Sequence, residues 1–242
     1  TGGFTHFDTH FNQVAHLGTI DASGQIFSFR SGRALDQTGV LQANILSIQN
    51  VAGDTNLGSA NNVINQLGSI AVAGKVFSLK DTVPLTQVSS IDAGTLNLTN
   101  TGGATTLTQN NSVTNLGTIN NTAGNFTFVN SGSAAPLTLT GNINTGTFDL
   151  NLDAGTNAID LGTAQLTTGK LTINSTSVSG GDFSNFVGAL SLTPSTAAAT
   201  VGLATNSGYD YNVASSTIAS IKGGASITSV TIGRTDSPAA MP

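Results

Sequence analysis

"NNVINQLGSI", residues 61–70, has near copies at 11–20, "FNQVAHLGTI", and at 109–119, "QNNSVTNLGTI". The Leu-Gly pairs of these phrases are Leu17-Gly18, Leu67-Gly68 and Leu116-Gly117; a fourth, Leu161-Gly162, continues a spacing close to fifty. Ten residues after each Leu an apolar, Ser/Thr, apolar triplet begins: Phe27-Ser28-Phe29, Phe77-Ser78-Leu79, Phe126-Thr127-Phe128 and Leu171-Thr172-Ile173. A second alternating triplet follows each of the first three at a similar interval: Leu46-Ser47-Ile48, Leu96-Asn97-Leu98 and Phe148-Asp149-Leu150. Asn-x-[Val/Ile] precedes the first three pairs, at Asn12, Asn62 and Asn111, and Asn157-x-Ile159 precedes the fourth with one residue deleted.

Alternation of period 2 over a few residues, punctuated by Gly and Asn, describes short strands with one face buried. Many such strands repeated at fixed spacing describe a solenoid in which each unit covers its neighbour's apolar face. Fifty residues with five or six strand signals predict about two coils of a triangular solenoid. The whole chain then makes roughly nine or ten coils, a rod on the order of 45 Å long at about 4.8 Å per rung. In this reading Leu-Gly is a coil corner, where Gly supplies φ > 0 or close approach. The four triplets after Leu-Gly form one inward stack, and Asn12, Asn62 and Asn111 stack as an amide ladder.

Composition agrees with an all-β chain. Of 242 residues only 8% are charged, all 12 acidic residues are Asp, and Thr, Ser, Asn and Gly fill the polar positions. Parallel coils place like over like, so a repeated Glu or Lys would face its own copy less than about 5 Å away, which destabilises. Hydroxyl and amide ladders carry no such cost. The net charge of −5 offers no basic stripe for phosphates, which argues against nucleic acid as a partner. Cysteine is absent, which removes disulfides and Cys metal sites. No apolar run approaches the roughly 20 residues of a membrane-spanning helix. The chain starts at Thr1 without Met, and is read as a processed or excised piece.

The repeats resemble the right-handed parallel β-helical rods of filamentous-haemagglutinin-like exoproteins, the secreted adhesins of two-partner secretion systems. The stretch "YDYNVASSTIASIKGGASITSVTIGRTD", Tyr209 to Asp236, is similar to their recurrent segment in which a strand and a Ser/Ala-rich bend lead into a "TIGR-D" strand. The resemblance implies a right-handed parallel β-helix, secreted or on the bacterial outer surface. It implies a rod acting in attachment, aggregation or biofilm formation, with host or neighbouring-cell glycans or proteins as partners. Residues 1–176 are read as regular coils and 177–242 as divergent coils with a tail.

Chemistry-bearing residues are few. "HFDTH" puts His6, Asp8 and His10 on one strand face and Phe7 and Phe11 on the other; His-x-His spacing can chelate zinc, but a polar outer face over a Phe-anchored first strand is the preferred reading. His16 aligns with Gln66 and Asn115 as an exterior residue. "DLNLDAG" places Asp149, Asn151 and Asp153 on one face; it lacks the Gly and terminal Glu of a calcium loop and reads as a solvated face. No metal or cofactor is expected. A polysaccharide-active β-helix enzyme needs paired carboxylates, whereas Asp21, Asp36, Asp54, Asp81 and Asp92 are scattered; sequence distance leaves room for pairing across coils, for instance Asp36 near Asp81. All three His, of which His16 is the last, cluster near the start of the chain, against a Ser-His-Asp triad. The chain is therefore read as non-enzymatic. Asn97, Asn110, Asn120, Asn125 and Asn174 head Asn-x-Ser/Thr sequons.

The alternative to an adhesin rod is a self-assembling fibre or sheath subunit, its partners further coils or other copies stacked end to end on exposed strand edges. The tail "RTDSPAAMP" has no alternation with which to cover the last coil, so the C-terminal edge is expected to be unprotected, beyond a looser region between Ser175 and Gly208.

Overall fold

The computed structural model describes residues 5–204, 208–223 and 226–234. It is nearly all β, with parallel strands stacked into a solenoid of about nine turns and one short helix, Ser215–Gly223. Alternation builds each rung. In Leu41–Asn50 the inward Leu41, Ala43, Leu46, Ile48 and Asn50 are buried, and most residues between them face outward. One continuous apolar core runs along the axis from Leu17 to Val213.

Register gives the coil length. Phe27 pairs with Leu46, Leu46 with Leu67 and Leu67 with Gln87, so each rung returns to the same column after one coil. That coil is about 20 residues, the separation of His16 and Asp36 on adjacent rungs. The repeat of the sequence therefore spans two and a half coils rather than two. The half-coil has a consequence for stacking. Phe77 pairs with Leu96, Leu96 with Leu116, and Leu116 with Leu139, a column separate from that of Phe27. Phe126 and Phe128 pair with Leu150 and Leu152, and these with Leu171 and Ile173. The apolar pairs of all four triplets are inward and buried, but they do not form a single stack. The first three copies lie on alternate sides of the coil, and the fourth falls two rungs on in the column of the third.

The same correction applies to the Asn residues. Asn12, Asn62 and Asn111 do not stack on one another. Each clamps a corner, donating its Nδ2 to a carbonyl of its own coil and to one in the next coil: Phe7 and Arg30 for Asn12, Leu57 and Lys80 for Asn62, Leu107 and Val129 for Asn111. Asn62 also exchanges two hydrogen bonds with Gln37, at 2.7 and 3.0 Å, and accepts from the Leu41 amide at 2.9 Å. Asn111 repeats this with Gln87 and Ile91.

Gly68 and Gly117 have no positive φ and lie within continuous strands. Register slips there: Gly68-Ser69 oppose Ser47 alone, and Gly117-Thr118 oppose Asn97 alone, which makes each a bulge. A Cβ on Gly117 would overlap the Asn97 Oδ1, and one on Gly68 the Ser47 Oγ. At these two positions close approach of a neighbouring side chain, rather than a left-handed corner, favours glycine; Gly18 has open space around it and no positive φ. Gly162 alone of the four has positive φ, at 53°.

The two ends differ. At the N-terminal end Thr5–Asn12 pairs with Ile20–Ser31, but Phe7 and Phe11 are about half exposed instead of anchoring the strand inward. Phe7 packs 6.4 Å from Phe29, while Phe11 lies under the Arg30 guanidinium, 4.3 Å from ring centre. At the other end the coils keep register through Val187–Pro194, which pairs with Lys170–Ser175. The next rung of that sheet, Ser226–Ile232, is reached only after a long excursion of the chain. The intervening segment forms Val201–Leu203, Tyr211–Val213 and the helix.

That helix overturns part of the expectation of an uncovered end. It occupies the place of a further strand over residues 180–183: the Gly180 and Phe183 amides donate to the Ser216 and Ser220 hydroxyls, each at 3.3 Å. Thr217 is buried, and Ile218 and Ile221 pack on the core. Among the described residues the outer edges of Ser226–Ile232 and Val201–Leu203 carry no further strand. The tail after Arg234 lies outside the described residues.

Candidate functional site

Outward side chains form ladders. The longest runs through Thr106, Thr127, Asn151, Thr172, Ser191 and Thr231, each on the rung beside the last. Asn151 Nδ2 donates to the Thr127 hydroxyl at 3.4 Å. Asp149, Asn151 and Asp153 share this outer face, as their alternation with buried Leu150 and Leu152 requires. The Asp153 carboxylate is used locally, accepting from the Gly155 amide and the Asn174 Nδ2, while Asp149 stands beside Lys170 on the next rung.

A group of charged and polar side chains lies near the N-terminal end. The coil length brings His16, Asp36 and Asn56 onto successive rungs, and His16 Nδ1 contacts Asp36 Oδ1. Arg33 and Asp54 complete the lining of an open cavity of about 350 Å³. Sequence alignment on the longer repeat hides this pair; counting by the coil reveals it. The arrangement offers donors and acceptors of both charges to a polar ligand.

Asp36 and Asp81 are not brought together, since Asp36 is on the outer face with His16 while Asp81 is buried at an inner corner. The side chains of His6 and Asp8 lie outside the described residues, and His10 is exposed. Among the described residues no three His, Cys, Asp or Glu side chains are grouped to hold a metal. No described helix is long and apolar enough to cross a membrane. Of the sequon residues Asn110 and Asn125 are exposed; Asn97, Asn120 and Asn174 are partly buried, and Asn97 and Asn174 spend their Nδ2 on Ser78 and Asp153.

An apolar cluster lies at the N-terminal end of the described residues. Phe7, Val14, Ile20, Phe27 and Phe29 surround a cavity of about 370 Å³ into which the core opens.

No family model, curated protein or solved structure matches the chain.

Proposed function

We propose that the chain is a secreted or cell-surface rod of the filamentous-haemagglutinin-like adhesin kind. It spaces or displays a binding surface for attachment, aggregation or biofilm formation. The observation that carries this reading is the regular stack of coils with an outward column of hydroxyls and one amide, Thr106 to Thr231, flanked on the same face by Asp149, Asp153 and Lys170. Such a surface is stiff and hydrogen-bonding, suited to glycans or protein surfaces and ill suited to phosphate backbones. The purified chain coated on beads should retain host or neighbouring bacterial cells, and Thr127→Lys with Thr172→Lys should abolish retention while leaving the circular dichroism spectrum unchanged. Folded chain that retains no cell and binds no glycan on an array would overturn the reading.

A fibre subunit is the second reading, favoured by the apolar N-terminal mouth. Sedimentation velocity separates the two: species that lengthen with concentration indicate end-to-end assembly, and a concentration-independent single species indicates a rod acting alone.

A further inference from the structure

Inner corners of the coils carry neutral hydrogen-bonding residues, among them Ser31, Asn50, Asn100, Asn130 and Thr168, all buried. Asp81 occupies one such corner, fully buried and paired with Asn100 in the next coil. Its counterpart one repeat later is Asn130. The Asn130 Oδ1 accepts from the Val113 amide and its Nδ2 donates to the Val113 carbonyl, both at 2.8 Å. Ile64 is the counterpart of Val113, and its amide donates to Asp81 Oδ1 at 2.9 Å. Asp81 Oδ2, which stands where Asn130 has its donor, has no partner.

We infer that Asp81 is a proton-held corner latch: its carboxyl is protonated, Oδ2–H donates to the Ile64 carbonyl, and loss of that proton to solvent loosens the joint between the two coils. Around it are the amides of Ile64, Thr82 and Val83 and the neutral side chain of Asn100; Lys80 points to the opposite, outward side of its strand. No ion pair reaches Asp81 among the described residues. Burial dominates and pushes the carboxyl up to about 6, against the amides, which pull it down. A carboxyl raised in the folded state binds its proton more tightly there than in the unfolded chain. Its contribution to stability is complete below about pH 4 and is lost as pH rises through about 6. This joint is tightest in acid.

Urea unfolding of the wild type and Asp81→Asn from pH 4 to 8 tests this. Relative to the variant, the wild-type unfolding constant should rise roughly fiftyfold across that range, because the Asn amide reproduces the Asn130 arrangement at every pH. Parallel pH profiles would overturn the latch, as would an Asp81→Asn chain that does not fold. Infrared spectra of the wild type give an independent reading. A buried carboxylic-acid carbonyl band present at pH 5 and gone by pH 8 supports it; a chain with no such band at pH 5 overturns it.

Discussion

At the residue scale, the corner amides hold consecutive coils together, and each is committed to several partners at once. Replacing Asn62 by Ala strands the Gln37 side chain and the Leu41 amide in the core, and leaves the Leu57 and Lys80 carbonyls without their shared donor. The expected loss is about 2–3 kcal/mol, measured by urea unfolding, with a similar loss for Asn111→Ala. Gly117→Ala should cost about 1–3 kcal/mol, because its methyl group overlaps the Asn97 side chain across the bulge. Adding Asn97→Gly should recover part of that loss, which a turn glycine would not allow. The Asn-x-[Val/Ile] phrase marked these Asn as repeated structural positions, but as an amide ladder rather than as clamps on backbone carbonyls. Their Gln partners were not legible, since Gln37 and Gln87 stand 25 and 24 residues before the Asn they meet, a distance set by coil length and absent from the repeat itself.

At the scale of strands, the ten-residue interval from Leu17 to Phe27 and from Leu67 to Phe77 is a half-coil that carries the chain across the core. Phe27 and Phe77 therefore sit in different columns, and Phe77→Ala, expected to cost about 3–5 kcal/mol, should add to Phe27→Ala without coupling. Phe126→Ala and Leu150→Ala, neighbours on adjacent rungs, should couple. Double-mutant cycles by thermal unfolding separate these outcomes. Most inward and outward assignments were readable because period 2 is local; Phe7, Phe11 and Phe148, at the first strand and beside a turn, are exposed instead. Which rung meets which was hidden, because the repeat of the sequence is not a whole number of backbone turns. The helix was hidden for another reason: "SSTIASIKG", with no acidic residue in the first turn, is too short to form a helix unaided. Its place is fixed by Ser216, Ser220 and the buried Thr217 against the coil below.

At the scale of the whole molecule, the C-terminal segment is part of the core rather than an appendage. Tyr211 and Val213 are fully buried, so removing residues 209–242 should uncover Val178 and Phe183, lower the melting temperature and cause light-scattering aggregates. A truncated chain that melts like the full one would show the helix to be dispensable. Chelator should leave the melting transition of the full chain in place; a shift on adding zinc would point to His6, Asp8 and His10.

The half-integral repeat bears on how such a rod can change length. Duplicating one full unit of the kind that runs from Leu17 to Leu67 preserves every clamp and bulge, yet rotates everything downstream by half a turn about the axis. An odd number of added units sends a downstream surface to the opposite side, and an even number returns it. Copy number in this architecture thus indexes direction as well as reach, so two rods differing by a single unit would present their far ends to opposite neighbours.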